Sequence, residues 1–348
     1  MSSSQPSWKP AGPIAPGTSL DRHILERGRS IPGATGDFTG LFQQIGLAAK
    51  LIYSRVHRAG LAGILGMTGD INVQGEMVAK LDDFANDTLV RSVEAGGYVC
   101  AMGSEEIADI IQVPDRYPRG KYVLLFDPLD GSGNIDINAS IGTIFSVYRR
   151  VTPGDGPARP EDLLQPGRAL VAAGYVIYGS STMFVYSTGE GVFGFTYDPS
   201  VGEFFLSHDN IRIPDKGNTY SVNEGNYHSW EPPVQRWVDW IKTPDATNGR
   251  PYSHRYIGAM VADLHRTLLR GGIFAYPGDR KKPQGKLRLL YEAAPFAFLV
   301  EAAGGAASTG TERVLDVIPT ELHQRTALYI GSERDVADCL RFLSGQAS

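Results

Sequence analysis

The chain has 348 residues, a net charge of −5, and 42% hydrophobic and 20% charged residues. This composition is ordinary for a soluble globular protein, and no stretch approaches the roughly 18 consecutive apolar residues of a membrane helix, which argues against a membrane protein. The negative net charge provides no basic field for nucleic acid, so any phosphate recognition must be local.

The length and the cysteines predict a two-domain intracellular protein. A chain of this size exceeds what one hydrophobic core usually serves. Cys100 and Cys339 lie far apart, without metal-type spacing, which is typical of a reducing compartment, so we expect a cytoplasmic protein. Residues 1–20 contain four prolines and no apolar signal region, which predicts a flexible N-terminal arm with no targeting role.

An amphipathic helix is predicted over residues 37–56, where apolar residues recur every three or four positions. Thr35, Gly36, Asp37 and Thr39 stand at its start. Hydroxyls and free N–H groups at a helix start can form an N-cap or an anion site, and the local pattern by itself favours the cap.

A glycine-rich stretch without periodicity, residues 60–74, predicts a mobile loop that leads to Glu76. Asp82 lies at the start of a second predicted helix, so both acids can simply favour its positive end. A strand is predicted over 97–102, followed by Glu105 and Glu106. On an extended chain these neighbours face opposite sides, so one can ligate a metal while the other faces a water.

The sequence RGKYVLLFDPLDGSGNID at residues 119–136 is the centre of the chain. Residues 121–126 predict a buried strand, after which Asp127 and Asp130 flank a turn that contains Pro128. This spacing suits a hard divalent cation. The backbone N–H groups of Gly131 and Ser132 can form a phosphate nest, although the same sequence also makes an ordinary surface turn.

Several short strands follow, and their order predicts an antiparallel meander. They cover residues 142–150, 169–179, 183–187, 192–197 and 203–207. A change in composition near 205–210 predicts the boundary between an N-terminal domain over 21–207 and a C-terminal domain over 208–348. The second half alternates a helix over 258–270, a strand over 273–276 and a helix over 286–303, which predicts an α/β domain. Lys286, at this last helix start, can bind phosphate.

Seven acids lie at strand ends or around helices. They are Glu76, Asp82, Glu105, Glu106, Asp127, Asp130 and Glu292. In one pocket their repulsion would raise their pKa values until some took up protons, unless divalent cations compensated the charge. Without a His or Cys cluster, Mg²⁺ or Mn²⁺ is the expected metal, and two or three ions per subunit would serve phosphoryl transfer to water.

From residue 33 onward the chain resembles class I fructose-1,6-bisphosphatase. The motifs that carry the resemblance are SEE at 104–106, FDPLDGSGNID at 126–136, LQPGR at 164–168, RYIGAMVADLHR at 255–266, GKLRLLYE at 285–292 and VLDVIPT at 314–320. The resemblance implies an α/β fold, the α+β sugar-phosphatase fold, in which two sheet-and-helix domains stack as α/β/α/β/α layers. It also implies Mg²⁺-dependent hydrolysis of the 1-phosphate of fructose 1,6-bisphosphate, in gluconeogenesis or the Calvin cycle.

The resemblance assigns roles to individual residues. The implied metal ligands are Glu105, Asp127, the carbonyl of Leu129, Asp130 and Glu292. The attacking water would be oriented and deprotonated by Glu106 with Asp82, assisted by Glu76 on the mobile loop. The substrate would contact Asp130, Gly131, Ser132, Asn223, Arg255, Tyr256, Tyr276 and Lys286. Arg255 would come from a neighbouring subunit, which implies a homotetramer.

The resemblance further implies that AMP inhibits the protein. The matching AMP positions are Thr35, Gly36, Asp37, Thr39, Lys121, Tyr122 and Arg149. Asn226 stands where the family has a phosphate-binding tyrosine, so that contact depends on whether the adjacent Tyr227 supplies it. Two alternatives remain: an enzyme that acts also or mainly on sedoheptulose 1,7-bisphosphate, and a non-catalytic AMP-sensing subunit.

Overall fold

The computed structural model describes residues 17–28, 36–58, 67–71 and 77–347. Three helices come first, α1 at Leu20–Gly28, α2 at Asp37–Val56 and α3 at Lys80–Glu94, with strands β1 at Met67–Ile71 and β2 at Met77–Ala79 between the last two. Helix α2 has the predicted bounds. Strand β1 occupies part of the stretch that we predicted as a loop, so that prediction is wrong for 67–71; residues 60–66 and 72–74 lie outside the described residues.

The central element is an eight-stranded sheet in the order β10-β9-β8-β7-β6-β5-β3-β4. Its strands are β3 at Val99–Ser104, β4 at Ile111–Gln112, β5 at Tyr122–Asp130, β6 at Ile141–Arg149, β7 at Leu170–Tyr178, β8 at Thr182–Ser187, β9 at Val192–Asp198 and β10 at Glu203–His208. All consecutive pairs from β5 to β10 are antiparallel, so the predicted meander is confirmed. Strand β3 pairs with β5 in parallel.

Both faces of this sheet are buried, which explains why strand β5 is apolar at every position of its first half. Leu124 and Phe126 pack into one core with helices α1, α2 and α3. Val123 and Leu125 point to the opposite face and into a second core. Successive side chains of a strand alternate between faces, so a strand covered on both sides must be apolar throughout.

The second sheet has five strands in the order β12-β11-β13-β17-β15. These are β11 at Thr219–Ser221, β12 at Ser253–His254, β13 at Ile273–Tyr276, β15 at Ala306–Ser308 and β17 at Leu328–Gly331, while β14 at Leu287–Arg288 pairs with β16 at Arg325–Thr326. The remaining α-helices of the described chain are α4 at Pro160–Leu163, α5 at Pro232–Lys242, α6 at Met260–Arg270, α7 at Ala294–Ala302 and α8 at Glu333–Leu343.

The cores show how the layers stack. Helices α6 and α7 supply Leu264 and Phe296 to the core that also takes Val123 from the first sheet and Phe274 from the second. Helices α5 and α8 cover the far face of the second sheet in a third core around Trp237. The order is therefore helices α1 to α3, first sheet, α6 and α7, second sheet, α5 and α8, which confirms the predicted α/β fold with α/β/α/β/α layers.

One predicted helix, 286–303, is wrong in its first third. The chain forms strand β14 first, then a π-helix at Leu289–Ala293, and only then helix α7. Lys286 therefore precedes a strand and does not stand at a helix start. Leu287, Leu289 and Tyr291 alternate as in a strand, and Leu287, Leu290 and Tyr291 have helical spacing, so periodicity cannot separate a buried strand from a buried helix here.

Other expectations have simpler outcomes. The two cysteines are free and buried, and burial raises the pKa of the Cys100 thiol to about 11. None of the helices within the described ranges is both long and apolar enough to span a bilayer. Within the predicted arm, Ser19 bridges to Phe205 beside the edge strand β10, while residues 1–16 lie outside the described ranges.

Candidate active site

The carboxylates of Asp127 and Asp130 lie at the end of strand β5, in a bulge and not in the turn that we predicted. The pairing of β5 with β6 shifts register between these two residues. The Thr143 hydroxyl donates to the carbonyl of Pro128 at 2.8 Å, and the N–H of Leu129 donates to Asp127 Oδ1 at 2.9 Å. A bulge re-aims side chains at a strand end, and here it brings both acids to the same side.

Glu292 joins the two aspartates from another part of the chain. Asp127, Asp130 and Glu292 are all buried, and each offers a carboxylate oxygen within 4.8 Å of the others. Glu292 lies in the π-helix after β14 and accepts a hydrogen bond from the N–H of Arg288 at 2.5 Å. π-Helical turns are rare and occur often at functional sites.

Glu105 lies beside this group because β3 runs parallel to β5, so the two strands end at one edge of the sheet. Glu105 follows β3 in a tight turn with Glu106, which replaces the extended chain that we predicted there. Glu105 and Asp127 are hydrogen-bonded through their side chains. The guanidinium of Arg288 pairs with Glu105 at 2.5 Å and lies 3.9 Å from Glu292.

Burial and mutual repulsion raise the pKa values of the carboxylates in this cluster. Burial, followed by the charge of Glu292, raises the pKa of Glu105 to about 8, although Arg288 opposes the rise. Burial and then Glu105 raise the pKa of Asp127 well above its usual range. A single arginine does not compensate four buried carboxylates, and an oxygen-only donor set of this kind fits a hard divalent cation such as Mg²⁺.

Sequence reasoning missed Arg288. A basic residue inside an apolar run, four positions before the implied ligand Glu292, was the available signal. Arginine is seldom buried unless it is paired, and Arg288 is only 7% exposed.

The N-terminal end of helix α6 contacts the metal-ligand candidate Asp130. The N–H of Val261, in its first turn, donates to Asp130 Oδ2 at 2.7 Å. The predicted nest follows Asp130 as one turn of 3₁₀-helix at Ser132–Asn134, preceded by Gly131 with φ +80°. A Cβ at Gly131 would lie 2.4 Å from that of Ala259, so glycine is required here both by conformation and by space.

Two of the three predicted catalytic acids can be located. Asp82 is buried in the first turn of α3, and one turn later Asn86 accepts a hydrogen bond from the Ser104 hydroxyl at 2.7 Å. The same hydroxyl accepts from the N–H of Glu106 at 3.3 Å. Asp82 and Glu106 thus lie on elements that Ser104 joins, and Glu106 directly follows Glu105. Glu76 lies outside the described residues.

Among the substrate-binding candidates, Tyr256 and Tyr276 can be related to the carboxylates. Tyr256 is close to Tyr276 and Asp130, since burial and then these neighbours raise its pKa. The N–H of Lys282, with the charge of Lys286 among the further causes, lowers the pKa of Asp279 in the adjoining basic turn. The side chain of Arg255 is exposed.

Two residues in the segment after β11 already form hydrogen bonds through their side chains. The side-chain oxygen of Asn223 accepts from the N–H of Gly225 at 3.1 Å. The hydroxyl of Tyr227 donates to Asp239 at 2.7 Å, so a phosphate would have to compete with this carboxylate for Tyr227.

The predicted AMP residues also assemble, at the opposite end of β5. Lys121 Nζ pairs with Asp37 Oδ2 at 2.7 Å, and the Arg149 guanidinium lies 5.6 Å from the ring centre of Tyr122. Gly36 precedes α2 with φ 83°. Thr35 lies outside the described residues. Because Lys121 already has an acidic partner, an anion must compete with Asp37 for it.

The chain matches two family models along its length. Residues 18–209 match "Fructose-1-6-bisphosphatase, N-terminal domain", and residues 213–344 match "Fructose-1-6-bisphosphatase, C-terminal domain". Among curated relatives named "Fructose-1,6-bisphosphatase class 1", one from Sorangium cellulosum is 58% identical over 98% of each chain. Another, from Maridesulfovibrio salexigens, is 54% identical over 91% of this chain and 95% of the relative.

Solved structures of Leishmania major fructose-1,6-bisphosphatase have the same fold. The holo form is 45% identical, with a TM-score of 0.87 over 93% of this chain and 99% of that one. A structure described as the T-state is 44% identical, with a TM-score of 0.82 over 93% and 98% of the two chains. The similarity in sequence and in fold therefore extends over nearly the whole chain.

Proposed function

Because this chain belongs to the class 1 fructose-1,6-bisphosphatase family, we propose that it is a hydrolase which converts fructose 1,6-bisphosphate and water to fructose 6-phosphate and phosphate. The observation that carries the proposal is the convergence of Asp127, Asp130 and Glu292, all buried, within 4.8 Å. Buried acids at this distance are costly to fold, and a cation site that serves phosphate chemistry explains why they are present.

Each residue group has a task in this proposal. Glu105, Asp127, Asp130, Glu292 and the carbonyl of Leu129 would hold two or three Mg²⁺ or Mn²⁺ ions, which polarise the phosphate and lower the pKa of the attacking water. Glu106, with Asp82, would take the proton from that water, and Glu76 would assist. The N–H groups of Gly131 and Ser132 would hold the transferred phosphate.

The second phosphate would bind away from the acids. It would contact Tyr256, Tyr276, Lys286 and Asn223, with Arg255 supplied by a neighbouring subunit in a homotetramer. These contacts are the same in the ground state and in the transition state, so they set KM more than kcat.

Phosphate release from fructose 1,6-bisphosphate and from sedoheptulose 1,7-bisphosphate, measured side by side with Mg²⁺ and with Mn²⁺, tests the proposal. We expect turnover of the first sugar, abolished by chelation and by Asp127→Asn in the same preparation. No turnover of either sugar with either metal would refute the function. Faster turnover of the seven-carbon sugar would favour the alternative enzyme instead.

We also propose that AMP inhibits the enzyme. Lys121, Tyr122 and Arg149 lie where β5 begins, and Asp127 and Asp130 lie where it ends. Gly36, Asp37 and Thr39, with Thr35, would hold the AMP phosphate at the start of α2. Bound AMP would favour one position of this strand and of the loop that contains Glu76. The AMP site would then be coupled to the metal site.

The remaining assignments complete the proposal. We place the protein in the cytoplasm, in gluconeogenesis or the Calvin cycle. The domain division is proposed as an arm at 1–20, a domain with the metal and AMP sites at 21–207, and a substrate-binding domain at 208–348. Each of the two domains would contain one of the two large sheets.

A further inference from the structure

Asp263, on helix α6, is a buried carboxylate to which the proposed reaction gives no role. Its side chain has no exposure to solvent. It accepts hydrogen bonds from the Ser221 hydroxyl at 2.7 Å, from the N–H of Ile257 at 3.0 Å and from the N–H of Gly258 at 3.2 Å. One carboxylate thus joins three segments of the chain, namely the end of β11, the 255–258 loop and α6.

The ring of Tyr256 packs against the second core, and the rest of the 255–258 loop lies at the surface. Arg255, Ile257 and Gly258 are exposed, and Gly258 has φ +86°. The N–H of Arg255 donates to the Tyr220 carbonyl at 3.0 Å, at the beginning of the loop. Further along the loop, the N–H groups of Ile257 and Gly258 both donate to Asp263. Hydrogen bonds from N–H groups to a carboxylate are about twice as strong as those to neutral acceptors.

The segments that Asp263 joins contain residues that we propose to bind the second phosphate of the substrate. The loop contains Tyr256, and β11 leads directly to Asn223, while Arg255 of the same loop would serve the neighbouring subunit. Helix α6 itself is fixed to the metal-ligand candidate Asp130 through the N–H of Val261. The distance between these phosphate-binding residues and the carboxylate cluster is therefore set through α6 and the side chain of Asp263.

We propose that Asp263 is a positioning residue, which holds the phosphate-binding loop at a set distance and angle from the metal-binding acids. It contacts neither substrate nor metal. Binding groups must be held within about 0.5 Å of the productive geometry, so loss of this tether should weaken binding of the substrate's second phosphate first. The inference rests on the proposed function, since it takes the 255–258 loop as part of the binding site for the second phosphate.

The test compares Asp263→Asn with Asp335→Asn, a matched control. Asp335 is also a buried carboxylate near the start of a helix, and it accepts from the Tyr252 hydroxyl and from the N–H of Gly217, both at 2.7 Å. Each variant is assayed for kcat and KM with fructose 1,6-bisphosphate. Binding of fructose 6-phosphate to the metal-free protein is measured by calorimetry, and Tm is recorded for both.

For Asp263→Asn we expect KM and the Kd for fructose 6-phosphate to rise by about tenfold or more, which corresponds to the loss of about one hydrogen bond to a charged group, while kcat changes less than about threefold. The control should lose thermal stability and keep both binding constants. Unchanged KM and Kd in a folded Asp263→Asn protein would overturn the proposal, as would a fall in kcat at constant KM, or an equal loss of binding in the control.

If Asp263→Asn does not fold, Ser221→Ala decides, because it removes one hydrogen bond and leaves the carboxylate. We then expect KM and Kd to rise by about three- to fivefold, and unchanged values would overturn the inference. Failure of the proposed function has a different signature, since the wild-type protein itself would then release no phosphate.

Discussion

Replacing Asp130 by asparagine should stabilise the metal-free protein and at the same time remove its activity. Burial and the nearby Glu105 charge raise the pKa of Asp130 from 3.8 to about 7, against the opposing hydrogen bond from Val261. The folded protein thus keeps a proton that the unfolded chain releases near pH 4. This contribution to stability is complete below pH 4 and is lost as the pH rises through 7.

The size of the effect follows from these values. Between pH 5 and pH 7 the wild-type protein should lose about 2 kcal/mol of unfolding free energy through Asp130, at up to about 1.4 kcal/mol for each pH unit. Asparagine has no proton to release and gains no charge as the pH rises, and its oxygen can still accept from Val261. In the presence of a chelator, the advantage of Asp130→Asn over wild type should therefore grow by about 2–3 kcal/mol from pH 5 to pH 8.

Denaturant unfolding at both pH values, with a chelator and then with Mg²⁺, measures this. Mg²⁺ should stabilise the wild-type protein much more than the variant, and kcat of the variant should fall by several powers of ten, since an amide oxygen is a poor replacement for a charged ligand. The reasoning is refuted if the two metal-free proteins depend on pH alike, or if the folded variant keeps near-normal turnover.

Three further substitutions test separate parts of the site. Glu106→Gln should lower kcat by about a hundredfold or more with little change in KM, as expected for loss of a general base, and a change confined to KM would contradict that role. Lys121→Ala should raise the AMP concentration for half-inhibition by about tenfold, whereas Lys50→Ala, which breaks the ion pair of Lys50 with Glu203 at 2.9 Å, should not; equal inhibition of both would exclude the proposed AMP site. Gly131→Ala should cost about 1–3 kcal/mol of stability and much of the activity, because its Cβ would clash with Ala259 at the start of α6. Gly133→Ala, with open space around it, should cost neither, and equal losses would argue against this packing.

Local patterns were sufficient for much of the fold. The 3–4 spacing of apolar residues defined α2 over Asp37–Val56, and the short apolar run between Gly272 and Pro277 defined β13. Period and turn residues also indicated the meander after β5. These elements depend on neighbours close in sequence, so their signals are present in the chain itself.

The chemistry of the candidate site was likewise visible in the residue types. Asp127 and Asp130 near a strand end, with a glycine-rich loop after them, indicated cations and phosphate before any contact was known. The number of acids further indicated that repulsion had to be compensated. The sequence by itself therefore determined which kinds of groups the site contains.

Only the tertiary structure decided how these groups meet. The apolar run before Glu292 satisfies helix and strand patterns alike, and pairing of Leu287 with Thr326 made its beginning a strand. The π-helix that follows turns Glu292 toward β5, and Arg288 enters the same cluster although it is remote from Glu105 in sequence. The register of β5 against β6 converted the expected turn at Pro128 into a bulge. In each case the deciding contact joins residues far apart in the chain, and its free energy is absent from any local pattern.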